Sequence, residues 1–303
     1  MFDPLISQST MRRRNFLGYS FLFLAGCTTA EKLGSSSKVT IPPKLSFAVT
    51  DAKGLEELQR DYEPFRVVLE DVLETQIEFF PVDNILDAAP AMLDGTLDLA
   101  WAGPSEYVIL NSRARAKPIV TLKRPDYFTV IFVHRDRGVR SIADLKGKTI
   151  DIWKLGTTAS HLGAVKILLD ADLKTSNLKL VASESQDLQP LKIGEIDAMA
   201  RPMSRYQSML QEAETSADEY PILARGSLLP GDVFVARYQL NSEVAEFISS
   251  QILDNRDRLL EAILSSPELA NRFRGSTWEV ANDTDYDLVR DAYREIGQES
   301  IIQ

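Results

Sequence analysis

The chain holds one cysteine, Cys27, and two histidines, His134 and His161, in 303 residues. A lone cysteine excludes an internal disulfide framework, and two histidines are too few for a histidine-rich metal site. Positive charge is also short: 34 basic residues face 44 acidic ones, for a net of -10, the wrong sign for a nucleic-acid-binding face. No apolar run is long enough to span a bilayer. Catalytic signatures are missing too, with no Gly-x-Ser-x-Gly, His-Glu-x-x-His or Gly-x-Gly-x-x-Gly, and Lys146–Thr149 lacks the upstream glycine of a phosphate-binding loop. Ser160 and His161 are neighbours, which on a helix point about 100° apart, a poor nucleophile–base pair. The residues call for no metal and no cofactor.

What is present starts with a leader. Three arginines, Arg12–Arg14, precede ten mostly apolar residues, Phe16–Ala25, and then Leu24-Ala25-Gly26-Cys27. A basic head, a short apolar middle and small residues before a cleavage point make an export signal over residues 1–26. Arg13-Arg14-Asn15-Phe16-Leu17 resembles a twin-arginine signal, and Leu-Ala-Gly-Cys resembles the bacterial lipobox, which makes Cys27 the lipidated residue. Removing the leader takes three arginines and one aspartate, so the mature chain carries a net charge of -12. Residues 27–43, polar with a serine run, read as a tether.

From Lys44 onward short apolar runs alternate with helical spacing. "KLSFAV", "QIEFF" and "LDLAWA" read as strands, and between them "LEELQRDYEPFRVVLEDVLE" places Leu55, Leu58, Tyr62, Phe65, Leu69 and Val72 on one helix face. The series restarts at "KTIDIW". The pattern predicts an α/β protein of two lobes, each a mainly parallel sheet flanked by helices. Lobe 1 is expected over 44–130 plus 225–303 and lobe 2 over 131–224, with two crossings between them and a ligand cleft at the junction.

The stretch "LGTTASHLGA", residues 155–164, is a strand-to-helix turn that concentrates hydroxyls and a histidine at a helix start. Helix N-termini present unpaired N–H groups and a partial positive charge, suited to an anion. Serine and threonine are also ordinary N-caps, so the residues alone leave both readings open.

Several stretches, in order, resemble one family. "DYEPFRVVLEDVLE", then Gly95, Asp98, Trp101, Gly103, Pro104 and Tyr107 in the pattern G-x-x-D-x-x-W-x-G-P-x-x-Y, then "SIADLKGKTI", "GEIDAMA", "LLPGDVFVAR" and "DTDYDLVRDAY" are similar to solute-binding lipoproteins of ABC transporters for phosphonate, phosphite and related oxyanions. The resemblance implies a type II periplasmic-binding-protein fold, with Thr157, Thr158 and Ser160 gripping the oxygens of a small anion and His161 adding a donor. It also implies ABC permease subunits as partners, a membrane reached through the lipid on Cys27, and a monomer. Ser105 at the start of a first-lobe helix, Tyr127 at the first crossing and Tyr62 are further ligand candidates, each equally readable as cap or core. Trp101 reads as core.

Two departures bear on the ligand. Where the family tends to carry an acidic or small polar residue after G-E-I-D-A, this chain has Arg201, which can only donate. If it lines the cleft, a fully ionised oxyanion or a carboxylate is favoured over an aminophosphonate; otherwise it is a surface arginine. Asp187 is the candidate acceptor in its place. The expected function is an extracytoplasmic receptor delivering a phosphorus oxyanion to a permease. The alternatives are a receptor of the same fold for a sulfonate or carboxylate, one serving a sensor, or an exported enzyme.

Overall fold

The computed structural model describes residues 39–303 apart from 53, 83 and 84. The leader, Cys27 and most of the tether lie outside the described residues. The first sheet is laid down by β1 (Lys44–Val49), α1 (Gly54–Leu73), β2 (Gln76–Phe79), α2 (Ile85–Asp94), β3 (Leu99–Ala102), α3 (Pro104–Ala114) and β4 (Lys117–Lys123). The chain then crosses to β5 (Phe128–Phe132), β6 (Thr149–Asp151), a helical segment Thr158–Gly163 running straight into α4 (Ala164–Asp170), β7 (Lys179–Val181), α5 (Gln189–Ile193), β8 (Ala198–Pro202), α6 (Met203–Glu212) and β9 (Ile222–Leu228). It returns through β10 (Asp232–Ala236), α7 (Ser242–Asp254), α8 (Arg256–Leu264), α9 (Pro267–Phe273), β11 (Thr277–Val280) and α10 (Asp287–Glu295).

Two sheets result, ordered β11-β4-β10-β3-β1-β2 and β7-β6-β8-β5-β9. Both are mixed rather than mainly parallel. β1 runs parallel to β2 and β3, and β6 parallel to β7 and β8, whereas β10 is antiparallel to β3 and β4, and β5 to β8 and β9. β5 and β10 enter their sheets directly from the other lobe, without the helical crossover that parallel neighbours need, and β11, arriving from α9, is antiparallel to β4. The crossings are residues 124–127 and 229–231, within a few residues of the lobe limits expected from sequence at 130/131 and 224/225. Phe128–Phe132 belongs wholly to the second sheet, where Val130 faces Arg201 and Ile131 faces Ala200. Strands β4 and β11, which the sequence pattern does not announce, complete the first sheet; Pro118 interrupts the apolar pattern of β4.

The core follows from burial on both sheet faces. β3, β5 and β10 are buried at every position, as strands covered by helices on both sides are. On one face Phe65 of α1, Trp101, Phe273 and Trp278 form an aromatic cluster, with Trp101 and Phe65 ring centroids 5.1 Å apart. On the other, Ala48, Ala100 and Val233 pack under α3 and α10, and Leu162 from the second lobe joins that cluster. The aspartate of the G-x-x-D motif is structural: Asp98 Oδ2 accepts from Ser46 N at 2.9 Å, and its Oδ1 from Arg237 Nε at 2.8 Å, tying β1, β3 and β10 together.

Candidate functional site

A cleft of about 560 Å³ opens between the two sheets, next to the crossings. Its first-lobe wall comes from the start of α3 and from Tyr62 and Arg124, its second-lobe wall from Thr157–Ser160 and Arg201. Gly103 caps α3 in an extended conformation with Pro104 at the first helical position, where a missing N–H costs nothing.

The facing helix start is wound unusually wide. Thr157 C=O accepts from both His161 N at 3.2 Å and Leu162 N at 3.0 Å, a π-type turn of the kind that marks functional sites. The N–H groups of Thr158, Ala159 and Ser160 therefore precede the first intrahelical bond. Gly163 allows the close seating of this turn on β5, because a Cβ there would lie 2.0 Å from Thr129 Oγ1, which itself donates to Ala159 C=O at 2.8 Å.

The two helix starts meet. Ser105 N donates to Thr158 Oγ1 at 3.0 Å, and Thr158 Oγ1 donates to Ser105 Oγ at 3.0 Å. Ser105 Oγ passes the chain on to Glu106 Oε2 at 2.8 Å. Ser105, Thr158 and Ser160 are all buried. Two positive helix ends thus converge on one point of the cleft, where the macrodipoles favour negative charge.

His161 takes a different part from the one expected. Its Nδ1 accepts from Gly156 N at 3.0 Å, it is buried, and it does not line the cleft. Burial holds its pKa below the ordinary value, so the ring is neutral and props the turn. Tyr127 and Tyr62 do line the cleft, and burial pushes both phenols up. Tyr62 Oη donates to Asp51 at 3.4 Å, and the Tyr62 ring stands edge-on to Trp101.

Arg201 lines the cleft, yet its charge is already matched. Nη2 contacts Asp151 Oδ2 at 2.5 Å and Ser185 C=O at 3.1 Å, and Nη1 the carbonyl of Ala200 at 2.8 Å. It therefore presents no unpaired cation, and the inference from Arg201 against an aminophosphonate loses its basis. Asp187 lies outside the lining; it is exposed and accepts from Gln189 N, the first residue of α5, at 2.8 Å.

Sequence reasoning missed a second layer of charge. Arg124 is buried at the first crossing, with its guanidinium carbon 3.2 Å from the Tyr127 ring centroid and Nη2 3.0 Å from Asp232 Oδ2. That ion pair is not aligned for hydrogen bonding, so Nε and Nη2 of Arg124 have no hydrogen-bond partner among the described residues. Arg272 of α9 bridges Asp232, at 2.5 Å, and Asp51. Burial works against the Asp51 charge, but the Arg272 guanidinium holds that carboxyl below the usual range. The only sequence signal for this layer was the placing of Arg124 three residues before Tyr127. Among the described residues no group of three or more His, Cys, Asp or Glu is arranged to hold a metal ion, and no helix is long and apolar enough to cross a membrane.

Two mixed sheets joined by two short crossings, with a polar cleft between them, define a two-lobed type II periplasmic binding protein. Residues 47–286 match the family described as "ABC transporter, phosphonate, periplasmic substrate-binding protein", and the chain belongs to that family. It is a binding component and not an enzyme. It is 22% identical over 292 residues to the phosphate-import protein PhnD of Mycolicibacterium smegmatis, covering 89% of this chain and 91% of that one. Its fold is similar to PhnD1 of Prochlorococcus marinus, solved in complex with methylphosphonate, at a TM-score of 0.68 and 17% identity over 85% of this chain and all of that one. The ATP-bound XAC2383 of Xanthomonas citri is similar at a TM-score of 0.68 and 14% identity, over 86% of this chain and 98% of that one.

Proposed function

We propose that this chain captures a small phosphorus oxyanion, a phosphonate, phosphite or phosphate, between its lobes and hands it to the permease of an ABC transporter. The carrying observation is the meeting of two helix starts, Ser105–Glu106 and Thr157–Ser160, across the cleft. The N–H groups of Thr158, Ala159 and Ser160 and the Ser160 hydroxyl supply donors to the ligand's oxygens, the hydroxyls of Thr157, Thr158 and Ser105 hold the two helix starts in place, Tyr127 and Tyr62 bound the ligand, and the buried Arg124 adds a cation at the crossing. The acidity of the whole chain does not oppose this, since charges beyond roughly 8 Å are largely screened at physiological ionic strength. Lobe closure then couples ligand contact to permease docking. Lipid on Cys27 holds the receptor at the membrane face, with residues 27–43 as its tether.

The test is a thermal-shift screen of residues 38–303 with phosphate, phosphite, methylphosphonate, aminoethylphosphonate, sulfate, taurine and small carboxylates. A ligand at 100 times its dissociation constant adds about 2.7 kcal/mol to stability. Stabilisation by at least one phosphorus compound is the expected result; stabilisation by a sulfonate or carboxylate alone would overturn the reading.

A further inference from the structure

The carboxylate of Glu106 stands where an anion-binding site would be expected to carry none. It sits on the first turn of α3, folded back so closely over the cap that a Cβ on Gly103 would lie 2.5 Å from its Oε2. It lines the cleft, accepts from Ser105 Oγ at 2.8 Å, and takes its own backbone N–H. Three other carboxylates of the lining are matched by arginines: Asp51 by Arg272, Asp61 by Arg60 and Glu212 by Arg205.

The direction of the hydrogen bonds matters. Thr158 donates to Ser105, and Ser105 donates to Glu106, so the hydroxyl protons of both walls run toward this carboxylate. An ionised carboxylate only accepts. A ligand oxygen brought against it must therefore carry a hydrogen, and an oxygen without one meets like charge at a half-buried carboxylate.

We infer that Glu106 is the specificity-determining residue of the cleft, accepting a hydrogen bond from the P–OH of a singly protonated phosphorus oxyanion and rejecting tetrahedral anions that carry no proton. The inference rests on the function proposed above and narrows its ligand class to hydrogen phosphonates and their kin over sulfonates and sulfate.

The surroundings suit that task. Burial pushes the Glu106 carboxyl up, its own N–H and Ser105 partly offset this, and Asp51 and Asp232 push it further. Asp51 comes from the loop after β1 and Asp232 from the start of β10, and both are ion-paired. Tyr127 from the crossing and Tyr293 from α10 also face it, with phenols raised by burial and so neutral. From the opposite lobe comes Thr158, while the neutral His161 spends Nδ1 on Gly156. A carboxyl of raised basicity is a better acceptor for an acidic P–OH.

Methylphosphonate and methanesulfonate decide the matter, because they share a shape and differ in whether the anion can hold a proton. Calorimetric titration of residues 38–303 should show methylphosphonate preferred by at least roughly tenfold, the worth of one added hydrogen bond to a charged group. As pH rises through the ligand's second ionisation, methylphosphonate affinity should fall and binding should begin to take up a proton, read from buffers of different ionisation heat. In Glu106→Gln the amide can donate to a bare oxygen, so the preference should collapse toward parity. Equal binding of the two ligands by the native chain, or methylphosphonate binding that strengthens with pH, would overturn the inference while leaving the receptor reading intact. Binding of no phosphorus oxyanion would overturn both. Should the variant not fold, the comparison in the native chain decides alone.

Discussion

Arg201 and Asp151 form an ion pair 2.5 Å long in the floor of the cleft, with both side chains buried. The pair joins the end of β6 to β8, and Asp151 Oδ1 also accepts from Trp153 N at 2.9 Å and Ser183 N at 3.2 Å. It is a structural bolt on the second-lobe wall.

Removing one partner leaves the other charge buried alone. Arg201→Met should therefore destabilise the chain by about 3–5 kcal/mol in urea unfolding. The double variant Asp151→Asn with Arg201→Met keeps the acceptor for the two backbone N–H groups and removes the stranded charge, so it should recover most of that loss. A single variant as stable as the native chain would show that the pair is not formed.

Thr158 and Ser105 make a different contact, one between lobes. Thr158→Val keeps the shape and deletes the hydroxyl, so methylphosphonate affinity should drop by about 1.5–3 kcal/mol if a charged oxygen uses it, against a stability loss of about 1 kcal/mol for the Ser105 bonds. Calorimetry and urea unfolding on the same sample separate the two. Unchanged affinity with reduced stability would assign Thr158 to capping.

His161 carries a pH dependence. Its pKa is lowered from 6.5 by burial, so the folded chain disfavours the proton that the unfolded chain accepts. The stability it contributes is present in full above the unfolded value of about 6.5 and is lost as pH falls below it, levelling off beneath the folded value. Asparagine can offer an oxygen to Gly156 N without titrating. Unfolding curves from about pH 7.5 to 5 should therefore show a step in the native chain that shrinks in His161→Asn, over whatever the other groups contribute. With only two histidines in the chain, the ring resonance can be followed directly by NMR; a midpoint at or above 6.5 would contradict the buried, accepting ring.

Much of the fold was legible because burial writes itself into spacing. Leu58, Tyr62, Phe65, Leu69 and Val72 recur at helical intervals and are the buried face of α1, and the start of α3 follows from Gly103-Pro104. β4 and β11 were not legible. Pro118 breaks the pattern of the first, and the second, Thr277–Val280, is four residues long and buries Trp278 alone. Sheet direction was also hidden: β5 and β10 run against their neighbours where the chain passes from one lobe to the other, and no local signal marks that.

For the site, the sequence by itself determined the hydroxyl-rich helix start at Thr157–Ser160 and the second helix start at Ser105, because capping and turn chemistry are local. Only the tertiary structure decided that these two starts meet, that His161 props the turn, that Arg201 is matched by Asp151, and that Arg124 and Glu106 reach the cleft. Each of those facts depends on partners 5 to 53 positions away in the chain, or on crossings that bring two lobes together. Charge pairing and burial are properties of that juxtaposition, and no spacing along the chain encodes them.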